Sequence, residues 1–144
     1  NVGEESRQAM SQGMASRQPG PVPPADDLIA DPRLQLAAQL FNDGEWYACH
    51  DVFEEIWHET QGPDRAALQG FLQIAVAHLH LQRGNQRGAT LLLGEGLGRL
   101  APFPPDALGF NLSLLRARVA DQLHCLQQGN DPTALPLPVL MPAS

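Results

Sequence analysis

The sequence predicts an all-α fold, a single-domain antiparallel bundle of about five helices around a central apolar helix. Three observations predict it. No segment alternates apolar and polar residues with period two for long enough to form a strand. The breaks between successive helical segments are short and carry Gly, Pro, Asn or Asp, which favours antiparallel neighbours. One segment, "AALQGFLQIAVAHLHLQ", is apolar around most of its circumference, as a helix enclosed by others must be.

Residues 1–28 are rich in Gly, Ser, Gln and Pro and show almost no apolar periodicity. They are expected to be a disordered or extended arm. The bundle is expected over residues 29–129. Its first helix opens at "ADPRLQLAAQLFN", with Asp31 as N-cap and Pro32 at the first helical position; Asn42, Asp43 and Gly44 stop it. The second, "EWYACHDVFEEIWHET", ends at Gly62 and Pro63, and the third runs from about Asp64 to Arg83, ending at Gly84. A fourth runs from about Gln86 to Leu100, where "APFPPD" forces a loop. The fifth runs from about Asn111 to Gln128, with Leu112, Leu115, Val119 and Leu126 on one stripe and Gly129 at its end. Residues 130–144, "NDPTALPLPVLMPAS", hold too much proline for a helix. Their Leu135, Leu137, Val139 and Leu140 are expected to lie extended across the bundle.

Apolar residues make up 43% of the 144, enough for a core, and the formal net charge is −7. All nine basic residues are arginine, scattered without a cluster. An acidic chain without a basic stripe is a poor match for nucleic acid or an anionic membrane surface. The uncharged run Ala66–Gln82 carries two glutamines within it and two histidines, the pattern of a buried helix and not of a membrane span. Cys49 and Cys125 have no CxxC partner and there is no secretory signal pattern, so a reduced, cytoplasmic setting is expected.

The chemistry concentrates in the second helix. At about 100° per residue, Trp46, Cys49, Phe53, Ile56 and Trp57 form its core face. His50 lies on the border of that face, and Glu54 is one turn further on, an i, i+4 pair. On the third helix Gln69, Gln73 and His80 share one side of an otherwise apolar surface. An antiparallel hairpin brings Glu54 level with Gly70 and Gln73, and the absent side chain of Gly70 would let the two helices approach closely. A buried polar cluster of His50, Glu54 and Gln73 follows, because buried polar groups must satisfy one another. Three readings of it stand open. It fixes helix packing; or it holds a divalent metal ion (zinc, manganese or iron) through His50, Glu54 and a third ligand, His80, His78 or Glu95; or it is a small-molecule or catalytic site, with Glu54 orienting His50 as a general base.

The stretches "FNDGEWYACHDVFEEIW", "LQGFLQIAVAHLHLQRGN" and "RGA" resemble the bacterial and archaeal family called domain of unknown function 309. The pattern falls on Phe41, Asn42, Gly44, His50, Glu54, Trp57, Gln69, Gly70, Gln73, Gly84, Asn85, Gly88 and Ala89, within residues 35–100. Asp51 stands where that family usually has Glu, with the same charge on a side chain one methylene shorter. The resemblance implies a small all-α bundle and no particular activity. It also implies that His50, Glu54, Trp57, Gln73 and Asn85 belong together.

Other motifs carry less. "LLLGEGLGRL" lacks the strand and spacing of a dinucleotide loop, and Gly94 and Gly98, one turn apart, read as a close-packing surface. In "RGNQRGA", Gly84 ends one helix and Asn85 caps the next. His78 reads as a satisfied core histidine, and His58 and His124 as incidental. The expected function is a small-ligand or metal-ion binding module, with a polar pocket between the second and third helices lined by His50, Glu54, Trp57, Gln73, Tyr47 and His80, and with Asn85 among the ligand-binding residues. The alternatives are a metal-dependent hydrolase using His50 and Glu54, and a structural protein, such as a homodimer, with a polar packing cluster.

Overall fold

The computed structural model describes residues 25–144. The expected N-terminal arm lies outside that range, apart from its last four residues. Among the described residues six α-helices follow one another: α1 (Ala25–Ala30), α2 (Pro32–Asn42), α3 (Trp46–Glu59), α4 (Asp64–Gln82), α5 (Gln86–Leu100) and α6 (Leu112–Gln127). Helices α2 to α6 are the five read from the sequence, and α1 is a short addition. Among the described residues there is no strand, only an isolated antiparallel bridge between Phe110 and Pro142. No helix there is long and apolar enough to cross a membrane.

Each helix in the sequence packs on the next: α2 on α3, α3 on α4, α4 on α5, α5 on α6. Helix α4 is central, as its all-round apolarity requires; residues 70–80 are buried without a gap. Phe53 of α3 meets Phe71 of α4 at 5.5 Å between ring centroids. Trp46 at the start of α3 takes the edge of Phe41 at 5.1 Å.

The helix ends follow local chemistry. The Asp31 carboxylate accepts from the Arg33 N–H at the start of α2. The Asn85 side-chain carbonyl accepts from Gly88 N–H at 2.9 Å at the start of α5. Gly84, with φ +77°, takes the left-handed conformation expected at the α4–α5 corner. Arg65 donates to the Trp57 and Thr60 carbonyls at the end of α3, and Arg116 to those of Leu100 and Phe103 after α5.

Two packing expectations are corrected. The close approach made by Gly70 is to α5, not α3: a Cβ at Gly70 would meet Leu100 Cγ at 2.9 Å. On α5 the partner is Gly96, whose Cβ would come within 3.0 Å of the Gly70 carbonyl oxygen and of Ile74 Cγ1. A Cβ added at Gly94 or Gly98 would meet nothing within 4 Å. Each lies two residues from Gly96, about 200° round the helix and so on the face away from the contact.

After one turn of 3₁₀ helix at Pro132–Ala134, the C-terminal segment runs over the bundle without further helix. Leu140 is buried, and its N–H and C=O are held by the side-chain amide of Asn42 at 2.6 and 3.0 Å. Asn111 N–H donates to the Met141 carbonyl, and Ala143 N–H to that of Gly109, each at 2.8 Å. Val139 is half-buried, while Leu137 remains about half exposed at 48%.

Candidate functional site

Helix α3 has three kinds of surface. Trp46, Cys49, His50, Phe53, Ile56 and Trp57 are buried, Asp51, Glu55 and Glu59 are exposed, and Glu54 and His58 lie on the border between. His50, Glu54 and His58 are spaced i, i+4, i+8 and so form one row. His50 Nε2 is 3.1 Å from Glu54 Oε2, and His58 Nε2 is 3.6 Å from Glu54 Oε1. The first contact is close but lacks hydrogen-bond geometry, so Oε2 has the ring as a neighbour and not as a directed bond. The other ring nitrogen of His50 is 3.3 Å from Asp51 Oδ1.

Glu54 opens onto a shallow groove of about 510 Å³, lined by Asp51, Glu54, Glu55, His58 and Glu59. The groove is strongly acidic, and one cation already reaches its carboxylates. Arg33 of α2 donates through Nη1 to Glu55 Oε1 at 3.2 Å and to Glu59 Oε2. Its Nη2 bonds Asp31 Oδ2 at 2.8 Å. That bond holds the Asp31 carboxyl below the usual carboxylate range, and the carboxylate raises the guanidinium in turn.

The other residues singled out from the sequence are spread around this row. Tyr47 is 60% exposed, its ring 6.4 Å from that of His50. Trp57 is fully buried, with the Arg65 guanidinium 3.8 Å above its ring and no hydrogen-bond acceptor for its Nε1 among the described residues. The hydrogen bonds of Gln73 run toward α5: its amide N–H donates to Glu95 Oε2 at 2.8 Å, and its carbonyl accepts from Arg99 Nε at 2.9 Å. His80 Nδ1 lies 3.0 Å from Asn85 Nδ2, so the ring accepts there at the α4–α5 corner. His50 and Glu54 are therefore brought together, with Tyr47 nearby, while Gln73 bonds Glu95 and Arg99, and His80 and Asn85 bond each other. No group of three or more His, Cys, Asp or Glu side chains suited to a metal ion occurs among the described residues.

Asp51, Glu55, His58 and Glu59 complete the groove, and the sequence reading did not place them in a site. A signal for it exists, since His58 continues the His50–Glu54 row by one more turn. Cys49 is fully buried, and burial raises its thiol far above the usual range, which suits a core residue and not a nucleophile.

Residues 34–92 match the family described as a domain of unknown function (DUF309), the family whose motifs the sequence resembles. Over 100 residues the chain is 26% identical to an uncharacterized protein of Aquifex aeolicus, covering 69% of this chain and 30% of that protein. Over 54 residues it is 35% identical to the uncharacterized protein YpuF of Bacillus subtilis, covering 37% of this chain and 31% of that protein. The chain thus spans less than a third of the length of these relatives.

Proposed function

We propose that the protein is a binding module for a small cation, held in the acidic groove of α3 by Glu54 and Asp51 beside His50 and His58. One observation carries this reading. The groove's outer carboxylates, Glu55 and Glu59, already take a guanidinium from the chain itself. Asp51 and Glu54 face the same space with no arginine bonded to them among the described residues. A half-buried carboxylate is worth more to a cation than an exposed one, because less water screens it. Glu54, with its side chain 21% exposed, is placed for that.

An organic ammonium ion suits the site better than a metal ion. A compact ammonium group gives several hydrogen bonds to carboxylates without fixed geometry, whereas zinc wants four ligands in a tetrahedron. The metal form of the reading needs a third ligand beside His50 and Glu54; of the candidates, His80 meets Asn85, His78 meets Gln122 and Glu95 meets Gln73. The hydrolase alternative depends on that metal.

The test is an NMR titration of the whole chain, one arm with 1,4-diaminobutane and one with zinc ion, following the imidazole signals of His50 and His58. Saturable shifts of both rings with the diamine are expected. Shifts with zinc alone would move the site to the metal reading. No shift in either arm would leave His50 and Glu54 as packing groups and end the proposal.

A further inference from the structure

At the end of α3 where Trp46 lies, a second cavity of about 400 Å³ opens between the bundle and the C-terminal segment. Its buried wall is Trp46 of α3, His78 of α4 and Gln122 of α6, with Pro132 of the C-terminal segment. Its outer wall includes Asp131, Thr133 and Leu137, all exposed. A cavity of this size, mostly apolar but with a few fixed polar groups at its base, is the usual form of a small-molecule site.

The polar groups at the base have a determined polarity. His78 Nδ1 lies 2.8 Å from the Ile74 carbonyl oxygen, which only accepts, so Nδ1 carries the proton. Burial lowers the His78 pKa, so the ring is neutral and Nε2 offers only a lone pair. Trp46 stacks on that ring at 4.2 Å and 20°, which fixes its plane. The group facing Nε2, at 3.0 Å, is the Gln122 side-chain amide, positioned by its Oε1 end. Two acceptors cannot bond, and the two ends of an amide have the same shape. The amide therefore turns its NH₂ to His78, and its oxygen is left as an acceptor in the wall of the cavity.

We propose that this cavity binds a small, uncharged, mainly apolar molecule ending in an N–H donor, which bonds to the side-chain oxygen of Gln122. Leu81, Pro132 and Leu137 cover the apolar body. Asp131 stays ionised at the rim, where Thr133 N–H and hydroxyl bond its carboxylate, and so repels anions. The site is separate from the acidic groove of α3, and an uncharged ligand distinguishes the two.

The experiment compares benzamide with acetophenone, which has nearly the same shape but a methyl group in place of the NH₂. Each is titrated into the whole chain, with the Gln122 side-chain amide and His78 ring followed by NMR. Benzamide should bind saturably, shift both signals, and bind roughly five- to tenfold more tightly than acetophenone, the worth of one hydrogen bond. Gln122→Met should erase that preference. If that variant fails to fold, Leu137→Trp, a change at an exposed position of the cavity wall, should abolish benzamide binding at an unchanged melting temperature. Equal affinity for the two probes, no shift at Gln122, or wild-type binding by either folded variant would overturn the proposal.

Discussion

His50 and Glu54 meet on one edge of α3, imidazole Nε2 to carboxylate Oε2 at 3.1 Å, with the ring only 10% exposed and the carboxylate 21%. Neither group is free to find water on all sides, so each depends in part on the other. Removing the imidazole in His50→Ala leaves a half-buried carboxylate without that neighbour. The variant should lose about 1–3 kcal/mol of stability in chemical denaturation. A wild-type midpoint would mean that the pair does not contribute to the fold.

Gly96 and its neighbours give a test of the α4–α5 crossing. Gly96→Ala puts a methyl group 3.0 Å from the Gly70 carbonyl oxygen, a backbone atom that cannot swing aside. It should destabilise by about 1–3 kcal/mol. Gly94→Ala and Gly98→Ala meet nothing within 4 Å and should stabilise, each by up to about 1 kcal/mol, through helix propensity alone. Thermal denaturation of the three variants reads opposite signs if the crossing is as described.

Asn42 clasps the C-terminal segment through both ends of its amide. Asn42→Ala removes two hydrogen bonds and leaves the Leu140 backbone groups unsatisfied. Hydrogen exchange at Leu140 should accelerate sharply, with a loss of about 1–3 kcal/mol in overall stability. Unchanged protection at Leu140 would show that Asn111 and the rest of the segment suffice to hold it.

His78 gives the chain an acid-sensitive point. Its pKa is lowered by burial in the folded state, so the unfolded chain binds the proton more readily. The groups facing it, Trp46, the Ile74 carbonyl and Gln122, carry no charge. Stability is therefore full above the unfolded value of about 6.5 and falls as pH drops below it. The melting temperature should decline from about pH 6.5 downward, and the decline should be shallower in His78→Gln. An identical pH profile in the variant would assign the effect to other groups.

Much of the fold is legible in the sequence because its signals are local. Asp31, Pro32, Gly84 and Asn85 mark helix ends by chemistry within a few residues, and α4 declares its central place by apolarity on every side. The pairing of His50 with Glu54 is legible for the same reason, as it spans one turn. What the sequence hides is set by rotation and distance. Gln73 shares a helix with residues that face α3, yet it bonds Glu95 and Arg99, and nothing in its own segment says to which side it turns. Asn42 reads as a helix stop, while its partner lies 98 residues away. No motif singles out Gln122, and only the fold puts it against His78.

In the proposed function, Glu54 holds a small cation in the groove of α3. Its most direct test is a calorimetric titration of 1,4-diaminobutane into wild type and Glu54→Gln, at low and at raised salt. Saturable binding by the wild type is expected, weakening with salt and falling roughly tenfold or more in the variant, which keeps the shape and loses the charge. Equal affinity in the two proteins, or no binding to the wild type, would contradict it.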